Sequence, residues 1–399
     1  MSILLTLLSW LFYLIGVFLL LNVLYLLFFA IAGHWKTPRL PEVKATYFRR
    51  ICVFIPAYKA DDVILETAPA AQQHTYQGQL QVCVVADSLH PATIQALRNQ
   101  GIETVEVQFE KSTKGKALLA ALKVVPARLY DIAVVLDVDN VMAKDFLNQV
   151  NAAFASGYRV VQGHRTAKNL DSPFAVLDAC NEEINNHIFR QGHASLGMSA
   201  ALIGSGMAFE YDYFKELIQE IGDTPGEDKE IDFRIVKSRI KIGYLPHAYV
   251  YDEKIPNSQA FTTQRTRWIA AQIEFLQKYI WEGPVQLWQG NIEFFDKVLQ
   301  TLLVPRILLL GLLGVLFLIS LLKLPFCPRS WYWATLLGGA GGALLLSLPA
   351  RLYNRQVARA LLHLPIALGS MIVALLQIKK AKTSFLHTIH SASSIEKKH

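Results

Sequence analysis

In the stretch VVLDVDN, Val134 to Asn140, an apolar run leads into Asp137 and Asp139, spaced one residue apart. A buried carboxylate is costly unless it is paired or holds a cation, so the pair is either a solvated strand end or half of a metal site. Residues i and i+2 of a strand point to one side, which lets both carboxylates face one cavity. A Mg²⁺ or Mn²⁺ ion takes one or two carboxylates, together with waters and the phosphates of a substrate. Another acid, Asp87, closes LQVCVVAD, and Asp228 lies in GEDKE. QRTRW then groups Gln264, Arg267 and Trp268. A guanidinium fork suits phosphate oxygens, a carboxylate accepts the proton of a hydroxyl, and an indole offers a flat face to a ring. These are the parts needed to expel a diphosphate and activate a hydroxyl. Each also has a plainer reading: Arg-Trp as an anchor at a membrane surface, Glu-Asp as the first turn of a helix.

The elements that must position these residues alternate. ICVFIP (Ile51 to Pro56), LQVCVVAD (Leu80 to Asp87), ETVEVQF (Glu103 to Phe109), DIAVVLDVD (Asp131 to Asp139) and YRVVQGH (Tyr158 to His164) read as strands. DDVILETAPAAQQ, PATIQALRNQ, KGKALLAALKVV and DFLNQVNAAFAS read as the helices between them. Such alternation predicts an α/β domain with a mixed, mostly parallel sheet. Ligands of such sheets bind beyond the carboxyl ends of the strands, where Pro56-Ala57-Tyr58, Asp87, Asp137 and Asp139 fall. No GxGxxG follows the first strand and no GxxxxGK[ST] occurs, so dinucleotide and P-loop binding lack support. FTTQRTRWIAAQIEFLQ (Phe261 to Gln277) reads as an amphipathic helix.

The chain has 399 residues, of which 52% are hydrophobic and 18% charged, against roughly 25% charged in a soluble protein. The apolar excess sits at the two ends. Ile3 to Ala32 carries no charge and exceeds the ~20 residues that cross a bilayer. No Lys or Arg precedes it, as a cleaved signal peptide would require. Ile307 to Leu322, Trp331 to Ala350 and Ala360 to Ile378 are further uncharged apolar segments. Lys36, Arg39, Lys44, Arg49 and Arg50 follow the first span directly, which places the N-terminus outside and the middle of the chain in the cytoplasm. The last segment is followed by another basic stretch, so the reading is three crossings and an embedded fourth segment, with four crossings as the alternative. The net charge of +7 reads as this flanking bias and as attraction to anionic lipid, not as nucleic-acid binding. Cys52, Cys83, Cys180 and Cys327 show no paired spacing, so neither disulfides nor zinc are expected.

The ordered series FIPAYKADDVI, VVADS, TKGKALLAAL, VLDVDN, GSGMAF, GEDKE and QRTRW resembles membrane-bound family 2 glycosyltransferases with a GT-A fold. Within them it looks most like the synthases of hyaluronan, poly-N-acetylglucosamine and cellulose. The resemblance covers about Arg50 to Ala270, and QxxRW is its most specific part. It implies a GT-A nucleotide-sugar-binding domain combined with transmembrane α-helices. The expected organisation is a span over 1–33, a basic linker over 34–50 and a catalytic domain over 51–256. QxxRW and membrane-interface helices follow over 257–300, a transmembrane region over 301–378 and a basic tail over 379–399.

By this resemblance Asp228 is the catalytic base. Pro56, Ala57, Tyr58, Asp87, Lys114, Asp137 and Arg267 contact the nucleotide-sugar donor. Asp139, with Asp137, holds Mg²⁺ or Mn²⁺. Gly204, Ser205, Gly206, Gln264 and Trp268 contact the acceptor. Where the family has Asn-Glu after the first Tyr, this chain has Lys59-Ala60-Asp61, and SLHPAT replaces a polar run after Asp87. Both departures lie near the nucleotide, so the base is less determined than the chemistry, with a UDP-sugar expected. The implied activity is inverting transfer to a growing polysaccharide by a multi-pass protein of the cell membrane. The alternative is a single transfer to a lipid-linked acceptor such as polyprenyl phosphate or a glycolipid.

Overall fold

The structure, a computed structural model, describes residues 3–35, 47–221 and 226–378. Most of the basic linker, residues 36–46, and the tail from 379 lie outside the described residues. Among the described residues eight strands form one sheet: β1 (Ile51–Tyr58), β2 (Leu80–Asp87), β3 (Glu103–Val107), β4 (Ile132–Val135), β5 (Val141–Met142), β6 (Val160–Ala167), β7 (Met207–Glu210) and β8 (Ile242–Asp252). The order is β3-β2-β1-β4-β7-β6-β8-β5. β1 runs parallel to β2 and β4, β2 to β3, and β6 to β8, whereas β7 is antiparallel to β4 and β6, and β5 to β8. The sheet is therefore mixed.

Helices α2 (Asp61–Gln72), α3 (Pro91–Asn99), α4 (Lys114–Val124), α5 (Phe146–Ala155), α6 (Pro173–Asn185), α7 (His193–Ser195), α8 (Tyr211–Ile221), α9 (Glu227–Lys237) and α10 (Ser258–Tyr279) surround the sheet. Because Cβ atoms alternate along a strand, Cys52 and Phe54 of β1 enter the core under α4, α8 and α9. Ile51, Val53 and Ile55 enter the opposite core under α2, α3 and α5. A strand covered on both faces must be apolar throughout, which is why ICVFI carries no polar residue.

The remaining helices are α1 (Ile3–Ala32), α11 (Glu282–Trp288), α12 (Ile292–Leu302), α13 (Arg306–Ser320), α14 (Ser330–Leu346), α15 (Arg355–Ala360) and α16 (Leu364–Leu376). Leu19, Val23 and Leu26 of α1 pack with Leu309 and Leu313 of α13 and Trp333 and Leu336 of α14. Among the described residues two helical stretches are long and apolar enough to cross a membrane, Ile3–Ala32 and Arg355–Leu376. A third arises if α12 and α13, bent by 57° at their junction, count as one span. α14 has 17 residues, about 26 Å at 1.5 Å each, short of the ~30 Å hydrocarbon core.

Candidate active site

β1 and β2 end side by side, with Tyr58 opposite Asp87. The chain leaves each strand through one left-handed residue, Lys59 at φ 48° and Ser88 at φ 57°. Lys59 N–H donates to the Asp87 carbonyl at 3.1 Å, and the Lys59 ammonium lies 5.2 Å from the Tyr58 ring centre. Pro56 and Ala57 lie within β1 just before this turn. Asp87 is only 1% exposed. Its carboxylate accepts the hydroxyls of Ser88, at 3.0 Å, and Ser112.

β4 ends at Val135, earlier than the apolar run suggests, and Asp137 to Asn140 form a turn closed by Asn140 N–H to the Asp137 carbonyl at 3.1 Å. The expectation that both carboxylates face one cavity from a continuous strand is therefore corrected, because two-residue alternation stops where the strand stops. The Asp137 side chain is 35% exposed. Asp139 is 2% exposed and turned inward, accepting Asn140 Nδ2 at 3.2 Å and Glu253 N–H at 3.1 Å. Asn140 also donates to Asp252 at 3.0 Å.

The GSG loop lies against this turn. Gly204 and Gly206 have φ of +84° and +64°, values that glycine adopts without a Cβ penalty. Ser205 between them is fully buried. Its hydroxyl accepts the Asp137 amide at 2.9 Å and donates to Asn140 Oδ1. Lys114, at the start of α4, donates to Asp137 and, at 2.6 Å, to the Gly204 carbonyl. Burial disfavours its ammonium, but Asp137, Glu227 and Asp228 outweigh that and raise its pKa.

Asp228 also lies against the loop, where a Cβ built on Gly204 would lie 3.5 Å from Asp228 Oδ2. It occupies the first turn of α9, after Gly226 at φ +99°, and accepts the Lys229 amide at 2.9 Å. For Glu227 beside it, burial and then Asp228 raise the carboxyl pKa while Lys114 acts against them.

The QRTRW segment lies on α10, capped by Asn257, which accepts the Ala260 amide at 3.0 Å. A Cβ at Gly226 would meet Phe275 at 3.4 Å and Ala271 at 3.6 Å. Arg267, one turn before Ala271, therefore shares the helix face that packs toward α9. Arg267 is exposed and Trp268 is 39% exposed. Gln264 Oε1 is buried without a hydrogen-bond partner. The buried guanidinium of the segment is Arg265, paired with Asp178 of α6. It lies 4.1 Å from the Trp268 ring and 4.7 Å from Phe261.

The geometry unites Asp137, Lys114, Gly204, Ser205 and Asp228 around one loop, with Asp87 and Tyr58 on the neighbouring strand ends. Sequence reasoning missed Asn140, Glu227, Asp178 and Arg265. Asn140, following DVD directly, had a positional signal, and so had Arg265 inside QRTRW. Among the described residues no group of three or more His, Cys, Asp or Glu side chains gathers to hold a metal. An ion that takes one or two carboxylates and completes its shell with substrate phosphates nevertheless fits Asp137, whose side chain is 35% exposed.

The open α/β sheet thus places Asp87 at the end of β2 and Asp137 just beyond β4, with Lys114 at the start of α4 reaching Asp137. A sequence model described as "Glycosyltransferase like family 2" matches residues 49–271, more than half of the chain, and the protein belongs to that family. No curated protein matches the chain. Among solved structures it is similar to a mannosyltransferase from Pyrobaculum calidifontis in complex with GDP-Man and Mn²⁺, at 17% identity and TM-score 0.53, covering 92% of this chain and 99% of that one. It is also similar to glucosyl-3-phosphoglycerate synthase from Mycobacterium tuberculosis in complex with Mn²⁺, UDP and glucosyl-3-phosphoglycerate. That match has 18% identity and a TM-score of 0.36, covering 59% and 82% of the two chains. The first of these shows a shared GT-A-like fold.

Proposed function

We propose that this glycosyltransferase moves a sugar from a nucleotide-diphosphate donor, by preference a UDP-sugar, to a growing polysaccharide at a membrane. The observation that carries the reading is the arrangement around Gly204. Lys114 joins its carbonyl to Asp137, and Asp228 lies 3.5 Å from where a Cβ on Gly204 would stand. The donor diphosphate would lie at Asp137 and Lys114, and the acceptor hydroxyl at Asp228. Mg²⁺ or Mn²⁺ held by Asp137 supplies charge stabilisation at the leaving diphosphate. Arg267 adds a guanidinium to the same group. Asp228 takes the acceptor proton as the new glycosidic bond forms and the bond to the diphosphate breaks. Attack from the side opposite the leaving group inverts the anomeric centre. Asp87 holds the nucleoside end, and Trp268 gives its open face to an acceptor sugar.

Membrane attachment is supported by α1, an 18-residue stretch of which has a mean hydropathy of 2.7, and by the contacts of α1 with the α12 region. Asp296 of α12 accepts Tyr25 at 2.8 Å, and Val304, just beyond α12, donates to Asn22 at 2.8 Å. Trp281 precedes α11 and Trp288 ends it, 83% and 93% exposed, as suits an aromatic belt.

A second reading, transfer of one sugar to a lipid-linked acceptor, is favoured by the small helical body, with two stretches long enough to cross and a third only through the bent pair. Membranes containing the protein, incubated with a panel of radiolabelled nucleotide sugars, distinguish the two. A long polymer supports the first reading and a singly glycosylated lipid the second. Release of free sugar alone, or no turnover, overturns both.

A further inference from the structure

Three acids on α6 are buried: Asp178, Glu182 and Glu183 are 5%, 3% and 5% exposed. Asp178 and Glu182 stand one helical turn apart, where like charges repel, and burial without partners would be prohibitive. Each is neutralised from a different element. Asp178 holds Arg265 of α10. Glu182 accepts Arg165 of β6 at 2.8 Å, with Lys254 at 3.8 Å and Arg190 at 3.6 Å. Burial alone would raise the Glu182 carboxyl, but these three cations hold it well below the usual carboxylate range.

The two cations also face the site. The Arg265 guanidinium lies against the rings of both Phe261 and Trp268, and Trp268 remains 39% exposed. Arg165 reaches 3.8 Å from Asp137 and 3.9 Å from Asp252, and Asp252 in turn accepts Asn140 of the acidic turn. We infer that α6 sets the geometry of both halves of the site, Asp178 positioning Trp268 through Arg265 and Glu182 positioning Asp137 through Arg165. The inference rests on the transferase reading for the names of the two halves. Neither acid is a catalytic residue, since each acts through an arginine. A guanidinium suits position 265, because a planar fork can pair with a carboxylate and stack on a ring together.

The test uses the full chain in lipid nanodiscs with the isosteric variants Asp178→Asn and Glu182→Gln, and with Arg265→Lys, which keeps the charge but loses the stacking plane. Emission from Trp268 is isolated in each background as the difference from the same protein carrying Trp268→Phe. Calorimetry with UDP or GDP plus Mn²⁺ reads the donor half. Asp178→Asn and Arg265→Lys are expected to change Trp268 emission and leave nucleotide binding intact. Glu182→Gln is expected to weaken nucleotide binding about tenfold, the scale of coupling between neighbouring groups, and leave Trp268 emission unchanged. Equal effects of both acid variants on both readouts, or on neither, overturn the inference. If Asp178→Asn fails to fold, the charge-conserving Arg265→Lys decides the acceptor half. Wild-type protein that binds neither nucleotide would sink the transferase reading, while the emission arm would still decide whether Asp178 orients the indole.

Discussion

Ser205 accepts the backbone amide of Asp137 at 2.9 Å, so a buried hydroxyl of the GSG loop holds the residue that presents the open acid. The same hydroxyl donates to Asn140, which closes the turn from its other end. Ser205→Ala leaves the Asp137 amide and Asn140 Oδ1 without these partners, and an unsatisfied buried group costs about 1–3 kcal/mol. The expected outcome is a lower melting temperature together with weaker nucleotide binding. An unchanged melting curve would mean that the turn holds its shape without the serine.

The two aspartates of the turn should behave differently. Asp137→Asn removes the more exposed charge and should reduce transfer by about 10²–10³-fold, the scale of a lost electrostatic contact to the leaving group, with a loss of stability confined to its pairing with Lys114. Asp139→Asn alters a buried acceptor of Asn140 and of the Glu253 amide, and should lower stability as well as activity. Thermal unfolding followed beside turnover separates the two. Equal destabilisation by both would contradict the inward placement of Asp139.

Asp228→Asn retains the shape beside Gly204 but cannot take a proton. Transfer should fall by about 10²–10⁴-fold, as for loss of a general base, while UDP or GDP binding with Mn²⁺ stays near the wild-type value. A parallel loss of nucleotide affinity would reassign Asp228 to donor binding.

Glu227 supplies a pH signature. Its carboxyl is raised above the ordinary 4.5 by burial and by Asp228, against the pull of Lys114. The folded protein thus holds this proton more tightly than the unfolded chain. The associated stability is fully present below about pH 4.5 and is lost as pH rises through the raised folded value. The melting temperature of wild type minus that of Glu227→Gln should therefore fall as pH climbs through that window. A flat difference would show that Glu227 titrates alike in both states.

Much of this arrangement was legible because the chemistry follows strand ends. β2 begins and ends where LQVCVVAD does, and β1 runs only two residues beyond ICVFIP. The acidic turn was misread as strand because Leu136 and Val138 continue the apolar pattern, although both are buried outside any ladder. β7 and β8 escaped notice: one is four residues long, and the other carries Pro246 in its middle. The roles of Arg265 and Asp178 could not be read from spacing, since their pairing joins positions 87 residues apart. A motif counted as Gln264, Arg267 and Trp268 passes over the arginine that supports its tryptophan.

The hydrogen bonds from α1 to the α12–α13 region join residues separated by 282 positions for Asn22 and Val304, and by 271 for Tyr25 and Asp296. The sheet domain is thus an insertion in a discontinuous helical body whose first piece is made long before its last. Deleting α1 to obtain a soluble enzyme would remove more than an anchor. It would expose Leu309, Leu313 and Trp333, which pack on α1, and would leave the Val304 amide without Asn22. The more promising route to a tractable fragment keeps both ends of the chain and shortens something between them.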